Sequence, residues 1–229
     1  MIALAFSGGK DSLACWYLSR HLNPVVLWVN TGKGYPETLE IVNEVRAEAV
    51  NFVEITSDQQ KQNDIHGLPS DIVPIDFTTF GMIFTGNKPG RVQSYLGCCI
   101  DNITSPLLQK CKEIGVTDLI RGQRLDDNHK STAVDGTVIE GIKFLQPIEK
   151  WTKEQVLGFV LDQRGSLPDH YSIEHSSLDC YDCTAFVEHS HDRIEWTKQR
   201  HPEMHRAYTK RMDALKLSLT PSLKAMRML

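Results

Sequence analysis

Apolar and polar positions fall into three strand-then-helix blocks at the start of the chain. Ile2 to Phe6 is an apolar run that ends in a glycine pair, and Leu13 to His21 then repeats apolar residues at helical spacing. Val25 to Val29 is a short β-branched run, followed by a loop and by helical periodicity from Thr38 to Ala49. Phe52 to Ile55 reads as the third strand. Such alternation predicts a parallel sheet with helices packed on both faces, an α/β Rossmann-like fold.

From Ser57 to Gly97 the pattern is irregular, with Gly86, Pro89 and Gly90 as breakers. A stretch of this length without periodicity is usually functional or mobile. Periodicity returns at Ile103 to Ile114, and Thr117 to Ile120 and Phe144 to Pro147 read as further strands. Thr152, ahead of Lys153 and Glu154, is the predicted N-cap of the next helix. The division expected is a nucleotide-binding α/β domain over residues 1–170 and a C-terminal segment over 171–229 with a helical tail.

Composition narrows the class. The 229 residues are 41% hydrophobic and 24% charged, with a net charge of −4. That balance excludes a protein that coats nucleic acid by bulk attraction. No apolar run approaches the roughly 20 residues of a membrane span, and the first strand lacks the basic leader of a signal peptide. The expectation is a cytoplasmic enzyme, in which paired cysteines bind metal or do redox chemistry more often than they form disulfides.

The loop Ser7-Gly8-Gly9-Lys10-Asp11-Ser12 lies between the first strand and the first helix. Glycines let the backbone approach a phosphate, the helix N-terminus offers unpaired N–H groups, and Lys10 adds charge. Ser7 and Ser12 have hydroxyls to donate. The four-residue spacer of the Walker pattern is absent. A tight strand-to-helix turn that needs glycine for shape alone is the alternative.

This hexapeptide resembles the signature of the PP-loop ATP pyrophosphatase superfamily, whose members cleave ATP between its α and β phosphates. The resemblance implies an adenine nucleotide at Ser7 to Ser12, with Mg²⁺ near Asp11. The strict form of the loop is more like the ATP-using members than the sulfonucleotide reductases. Three further stretches resemble the reductase family for phosphoadenylyl sulfate (PAPS) and adenylyl sulfate (APS). They are Asn30-Thr31-Gly32 with Tyr35-Pro36-Glu37-Thr38, then Gly122-Gln123-Arg124-Leu125-Asp126-Asp127 with Lys130, then Gln146 to Thr152. By that resemblance Thr31, Gly32, Gly122 and Arg124 join the nucleotide site, and Lys10, Asp11 and Arg124 are its catalytic residues. Asn30 stands where the family has aspartate.

Four of the six cysteines fall into Cys98-Cys99 and Cys180-Tyr181-Asp182-Cys183. A Cys-x-x-Cys alone suits zinc, thiol redox or an iron–sulfur centre. The combination with adjacent cysteines resembles the 4Fe-4S site of assimilatory APS reductases, which implies Cys98, Cys99, Cys180 and Cys183 as ligands. Zinc on the same four residues, and free thiols with no metal, remain open; Cys15 and Cys111 are expected to be buried free thiols.

Two departures from the reductases matter. No cysteine follows Cys183, so the C-terminal nucleophile of the reductases is absent. The family's basic residue after the cysteine pair is also missing, since Ile100-Asp101-Asn102-Ile103-Thr104 follows Cys99. Both favour the superfamily's other chemistry, ATP-dependent adenylation coupled to sulfur transfer from a donor protein. Reduction of APS or PAPS with an external thiol is the alternative, and a non-catalytic nucleotide- or cluster-sensing module is a third.

Residues 186 to 217 are rich in His, Arg and Lys. One reading is a surface for a nucleic-acid substrate, with Trp196 and Tyr208 stacking on bases. The other is a solvated helix whose Ile194, Met204, Met212 and Leu215 pack inward. An oligomer is compatible with either.

Overall fold

The computed structural model describes residues 1–86, 92–125, 127, 133–172, 178 and 180–228. In chain order the elements are β1 (Ile2–Phe6), α1 (Lys10–Ser19), β2 (Val25–Asn30), α2 (Pro36–Glu48) and β3 (Asn51–Thr56). Next come α3 (Gln59–His66), β4 (Leu68–Ser70), α4 (Thr79–Thr85), β5 (Val92–Ser94), α5 (Tyr95–Cys99) and α6 (Ser105–Glu113). The chain continues through β6 (Asp118–Ile120), β7 (Val138–Ile139), β8 (Ile142–Leu145), α7 (Lys153–Arg164), α8 (His191–Arg200) and α9 (Pro202–Ala225). It divides into two compact units, one of residues 1–30, 34–56 and 106–178, the other of 31–33, 57–105 and 179–229.

The first unit holds a six-stranded sheet of order β3-β2-β1-β6-β8-β7. Its strands pair in parallel except for the closing β7–β8 hairpin, which is antiparallel. Strand period decides the layers. Leu4 and Phe6 of β1 pack with Leu13 and Trp16 of α1, Ile41 and Val45 of α2, and Val156 and Val160 of α7. Ala3, one residue out of phase, joins Leu27, Leu119 and Phe144 against Cys111 and Leu107 of α6. Helices therefore cover both faces, as the alternation predicted. Thr152 caps α7 in a reciprocal box, its side chain accepting from Gln155 N while the Gln155 side chain accepts from Thr152 N.

The second unit gives form to the segment whose pattern was irregular. It contains α3, a two-stranded parallel β4–β5 ribbon, α4 and α5. Its core joins Val92 to Leu215 and Leu219 of α9, with Leu68, Phe77 and Met212 packed around them. After α5 the helix widens into a π turn over Ile100–Thr104. Among the described residues no helix is long and apolar enough to cross a membrane.

The capping box has a measurable worth. Thr152→Ala should destabilise the first unit by about 1 kcal/mol, seen as a lower urea midpoint with unchanged steepness.

Candidate functional site: a nucleotide loop and a cysteine group

In the first unit the chain runs from β1 outward to β2 and β3, then returns to place β6 on the other side of β1. The order of strands thus reverses between β1 and β6, and open α/β sheets bind ligands beyond the carboxyl ends of the strands at such a point. The loop Ser7–Ser12 follows β1, and Gly122–Arg124 follows β6. The two segments touch so closely that a Cβ on Gly122 would lie 2.6 Å from the Asp11 carbonyl carbon and 2.8 Å from Ser12 N. Gly8 has φ +82°, and a Cβ there would meet Thr38 Cγ2 at 2.7 Å. Both glycines are steric requirements.

Charge is concentrated beneath this loop. Lys10 and Arg124 are buried at 3% and 6% exposure, which is tolerable only with counter-charges. Asp11 supplies them, with Oδ2 2.7 Å from Lys10 Nζ and Oδ1 2.8 Å from Arg124 Nε. Asp127 holds the other side of Arg124, taking Nη2 at 2.7 Å and the backbone N–H at 2.8 Å. Gln123 donates to the same carboxylate at 2.9 Å. Asp126 and Lys130 lie outside the described residues.

The serines act first on the loop itself. Ser12 Oγ donates to Gly9 O at 2.9 Å and accepts from Ser7 N at 3.2 Å, and Ser7 Oγ accepts from Gly9 N at 3.3 Å. The Lys10 N–H at the start of α1 donates to the Tyr171 hydroxyl at 2.7 Å. Sequence reading missed Tyr171, which no motif marks. Asn30, in the place of the family aspartate, donates to Glu54 Oε1 at 2.7 Å on the neighbouring strand. An aspartate would face that carboxylate with like charge.

The second unit gathers the cysteines. Gln59 Nε2 donates to Cys180 Sγ at 3.2 Å and to Cys98 Sγ at 3.9 Å. Cys98 Sγ donates to Asn63 Oδ1 at 3.5 Å, and Asn102 Nδ2 reaches Cys98 O at 2.8 Å and Sγ at 3.6 Å. Asn102 comes from the π turn, a helical irregularity frequent at functional sites. Thr31 Oγ1 lies 3.7 Å from Cys180 Sγ, while Gly32 takes φ +75° in open space. Cys99 and Cys183 are partly exposed, and all six cysteines are free of disulfides.

Burial, and then the neighbouring Cys180, pushes the Cys98 thiol up to about 11, against the opposing influence of Asn102, Gln59 and Arg211. Burial raises the Tyr208 hydroxyl, Arg193 opposes, and Cys183 adds to the rise. Cys111 is pushed up to about 11 by burial, and Cys15 is raised further by burial and then by Asp11. Both are core thiols, as expected.

The structure thus brings Cys98 and Cys180 together on one amide. Among the described residues it gathers no set of three His, Cys, Asp or Glu side chains to hold a metal ion. Four cysteines, none of them in a disulfide, belong to this one unit, and sulfur donors suit a thiophilic centre. Asn63 Nδ2 and Arg211 Nε add buried donors that have no hydrogen-bond partner among the described residues.

One further residue stands inside the Cys-x-x-Cys turn. Asp182 is 2% exposed, and its Oδ2 lies 2.9 Å from Lys33 Nζ and 3.2 Å from Arg211 Nη1. Its signal in the sequence was its position between two cysteines. Trp196, available for stacking in one of the two readings of this stretch, is a core residue at 3% exposure, edge-on to His201 at 5.2 Å. Arg193 is also buried, donating to Ser190 Oγ at 2.9 Å, whereas Lys198, Arg200, Arg206 and Lys210 are exposed.

The steric argument at the loop has a direct test. Gly122→Ala should weaken adenine-nucleotide binding by about tenfold, the worth of one misplaced charge-assisted hydrogen bond. Isothermal calorimetry with ATP and with APS would measure it, and Gly158→Ala, in open space within α7, serves as the neutral control.

No curated protein sequence matches the chain. Among solved structures it is similar to a PAPS reductase from Candida auris in a phosphate complex, with TM-score 0.53 and 16% identity, covering 80% of this chain and 82% of that one. It is also similar to a predicted tRNA methyltransferase subunit from Methanocaldococcus jannaschii, with TM-score 0.39 and 16% identity, covering 74% of this chain and 92% of the other. The phosphoadenosine phosphosulfate reductase domain family matches residues 1–186, and the chain belongs to that family.

Proposed function

We propose that this member of the family binds ATP at the Ser7–Ser12 loop and couples adenylation of an acceptor to sulfur transfer. The observation that carries the reading is the charge arrangement under an intact loop. Lys10 and Arg124 are held by Asp11 and Asp127 at ion-pair distance. A triphosphate arriving at the switch point competes for both cations, and Arg suits that exchange because its forked donors match phosphate and carboxylate alike.

In this reading the α1 N-terminus and the glycine backbone orient the α- and β-phosphates. Displacing the Tyr171 hydroxyl frees the Lys10 N–H for a phosphate oxygen. Lys10 and Arg124 stabilise the charge that develops as an acceptor oxygen attacks the α-phosphorus and pyrophosphate leaves. Mg²⁺, held by the nucleotide and Asp11, would neutralise phosphate charge during that step. A hydrosulfide-level sulfur from a donor then displaces AMP from the activated carbon or phosphorus.

Cys98, Cys99, Cys180 and Cys183 would hold a 4Fe-4S cluster, with zinc as the alternative metal. The cluster, when bound, supplies sulfur affinity and electron capacity at that end of the chemistry. Gln59 and Asn102 orient two of the sulfurs, and Asn63 accepts from Cys98. The second reading, reduction of APS or PAPS by an external thiol, draws on the family match.

Protein purified without oxygen should release pyrophosphate from ATP when a suitable acceptor is present. Lys10→Ala and Arg124→Ala should each lower that rate by about a hundredfold, the usual effect of removing one group that stabilises developing charge. Sulfite release from APS without pyrophosphate release from ATP would replace this reading with the reductase one. Tight nucleotide binding with neither product would mark a sensing module. Brown colour and visible absorbance of the same preparation distinguish the cluster from zinc.

A further inference from the structure

Asp182 is an unusual residue to find inside a thiol group. A carboxylate at 2% exposure is costly unless its charge is answered, and here it is answered twice. Lys33 Nζ lies 2.9 Å and Arg211 Nη1 3.2 Å from the same oxygen, Oδ2. Asp182 Oδ1 and Arg211 Nε have no hydrogen-bond partner among the described residues. Two cations against one carboxylate leave this triad with one net positive charge. Four thiolates on one divalent cation carry two net negative charges, which a nearby positive charge stabilises. Arg211 is close enough to Cys98 to oppose the rise that burial imposes on its thiol.

The three members come from separate pieces of the chain. Lys33 follows Thr31, whose hydroxyl touches Cys180, and its backbone carbonyl accepts from Tyr181 N at 3.0 Å. Asp182 is the third residue of the Cys-x-x-Cys turn. Arg211 is on α9, beyond the 1–186 segment that matches the family. The first two fix the shape of the turn, so Arg211 is the member whose charge is surplus to holding it.

We propose that the Lys33–Asp182–Arg211 triad is the electrostatic support of the cysteine group, its single net positive charge setting how tightly Cys98, Cys99, Cys180 and Cys183 hold a thiophilic cation. The proposal rests on the reading that these cysteines bind metal. It makes Arg211 and Asp182 positioning residues that act through the sulfurs.

The test is a titration of the full-length, metal-free, reduced protein with Cd²⁺, followed by the ultraviolet thiolate-to-cadmium band in competition with a chelator. Affinity should follow net charge. Arg211→Gln, which leaves the triad neutral, should bind about tenfold more weakly, the usual effect of removing a supporting partner. Arg211→Lys should bind like the parent. Asp182→Asn, with two positive charges, should bind more tightly, and Asp182→Asn/Arg211→Gln should return to the parental value.

A purely structural pin gives a different order. Asp182→Asn would then weaken binding, and the double variant would be no better than Arg211→Gln; either result overturns the proposal. So does a parent that binds Cd²⁺ no more tightly than its Cys98→Ser/Cys180→Ser variant. Thermal melts of each variant separate misfolding from altered affinity, and Asp182→Asn, which keeps both cations, decides the matter if Arg211→Gln does not fold. Cadmium binding reads the cysteine unit alone and pyrophosphate release reads the nucleotide loop. Loss of ATP turnover with the charge order intact would therefore sink the activity and spare the triad.

Discussion

A charge cannot be taken out of water by itself, and that constraint organises both halves of this protein. Each unit contains one carboxylate set between a lysine and an arginine, Asp11 with Lys10 and Arg124 in one, Asp182 with Lys33 and Arg211 in the other. In neither case is the result a simple neutral pair. At the loop a second carboxylate, Asp127, completes the balance. At the cysteines no further acid is paired with the triad among the described residues, and the balance is left positive. The same device is thus balanced at the loop and left with a surplus cation at the cysteines.

Geometry makes the first arrangement specific. Gly122 brings the end of β6 against the start of α1 at a separation that no side chain allows, which is what puts Arg124 on Asp11. The serines tie the loop to itself, so its shape is set by its own hydrogen bonds. Replacing the family aspartate by Asn30 relieves a repulsion with Glu54 and adds a hydrogen bond between β2 and β3. That substitution is consistent with the register of the sheet, in which Asn30 opposes Thr56 and Trp28 opposes Glu54.

What the sequence disclosed, and what it withheld, follows from the kind of signal each element carries. The β1–α1–β2–α2–β3 run was legible because its buried positions are apolar and recur at strand or helix spacing, and the cap at Thr152 was legible from its chemistry. Helix α3 was not, because its buried side chains are Gln59 and Asn63, a polar pair four residues apart that faces the sulfurs. Hydrophobic periodicity is blind to a helix whose inward face is made of amides. Strands β4 and β5 are three residues each, too short for any period to register. The cysteines announced themselves as types, yet the residues that give them an environment were scattered over positions 33, 59, 63, 102, 182 and 211. Trp196 was ambiguous for the converse reason, since an aromatic among basic residues has the same signature whether it faces solvent or is buried.

Helix α9 joins two duties that are usually kept apart. Leu215 and Leu219 close the small apolar core on Val92, and Arg211, one turn earlier, answers the acid among the thiols. A chain trimmed to the 186 residues that carry the family pattern would keep every cysteine and the whole phosphate loop. It would lose the wall of the smaller core and half of the counter-charge together. The family pattern therefore marks the extent of a shared ancestry without marking the extent of the folding unit, and any shortened version of this protein has its sensible boundary beyond Leu219.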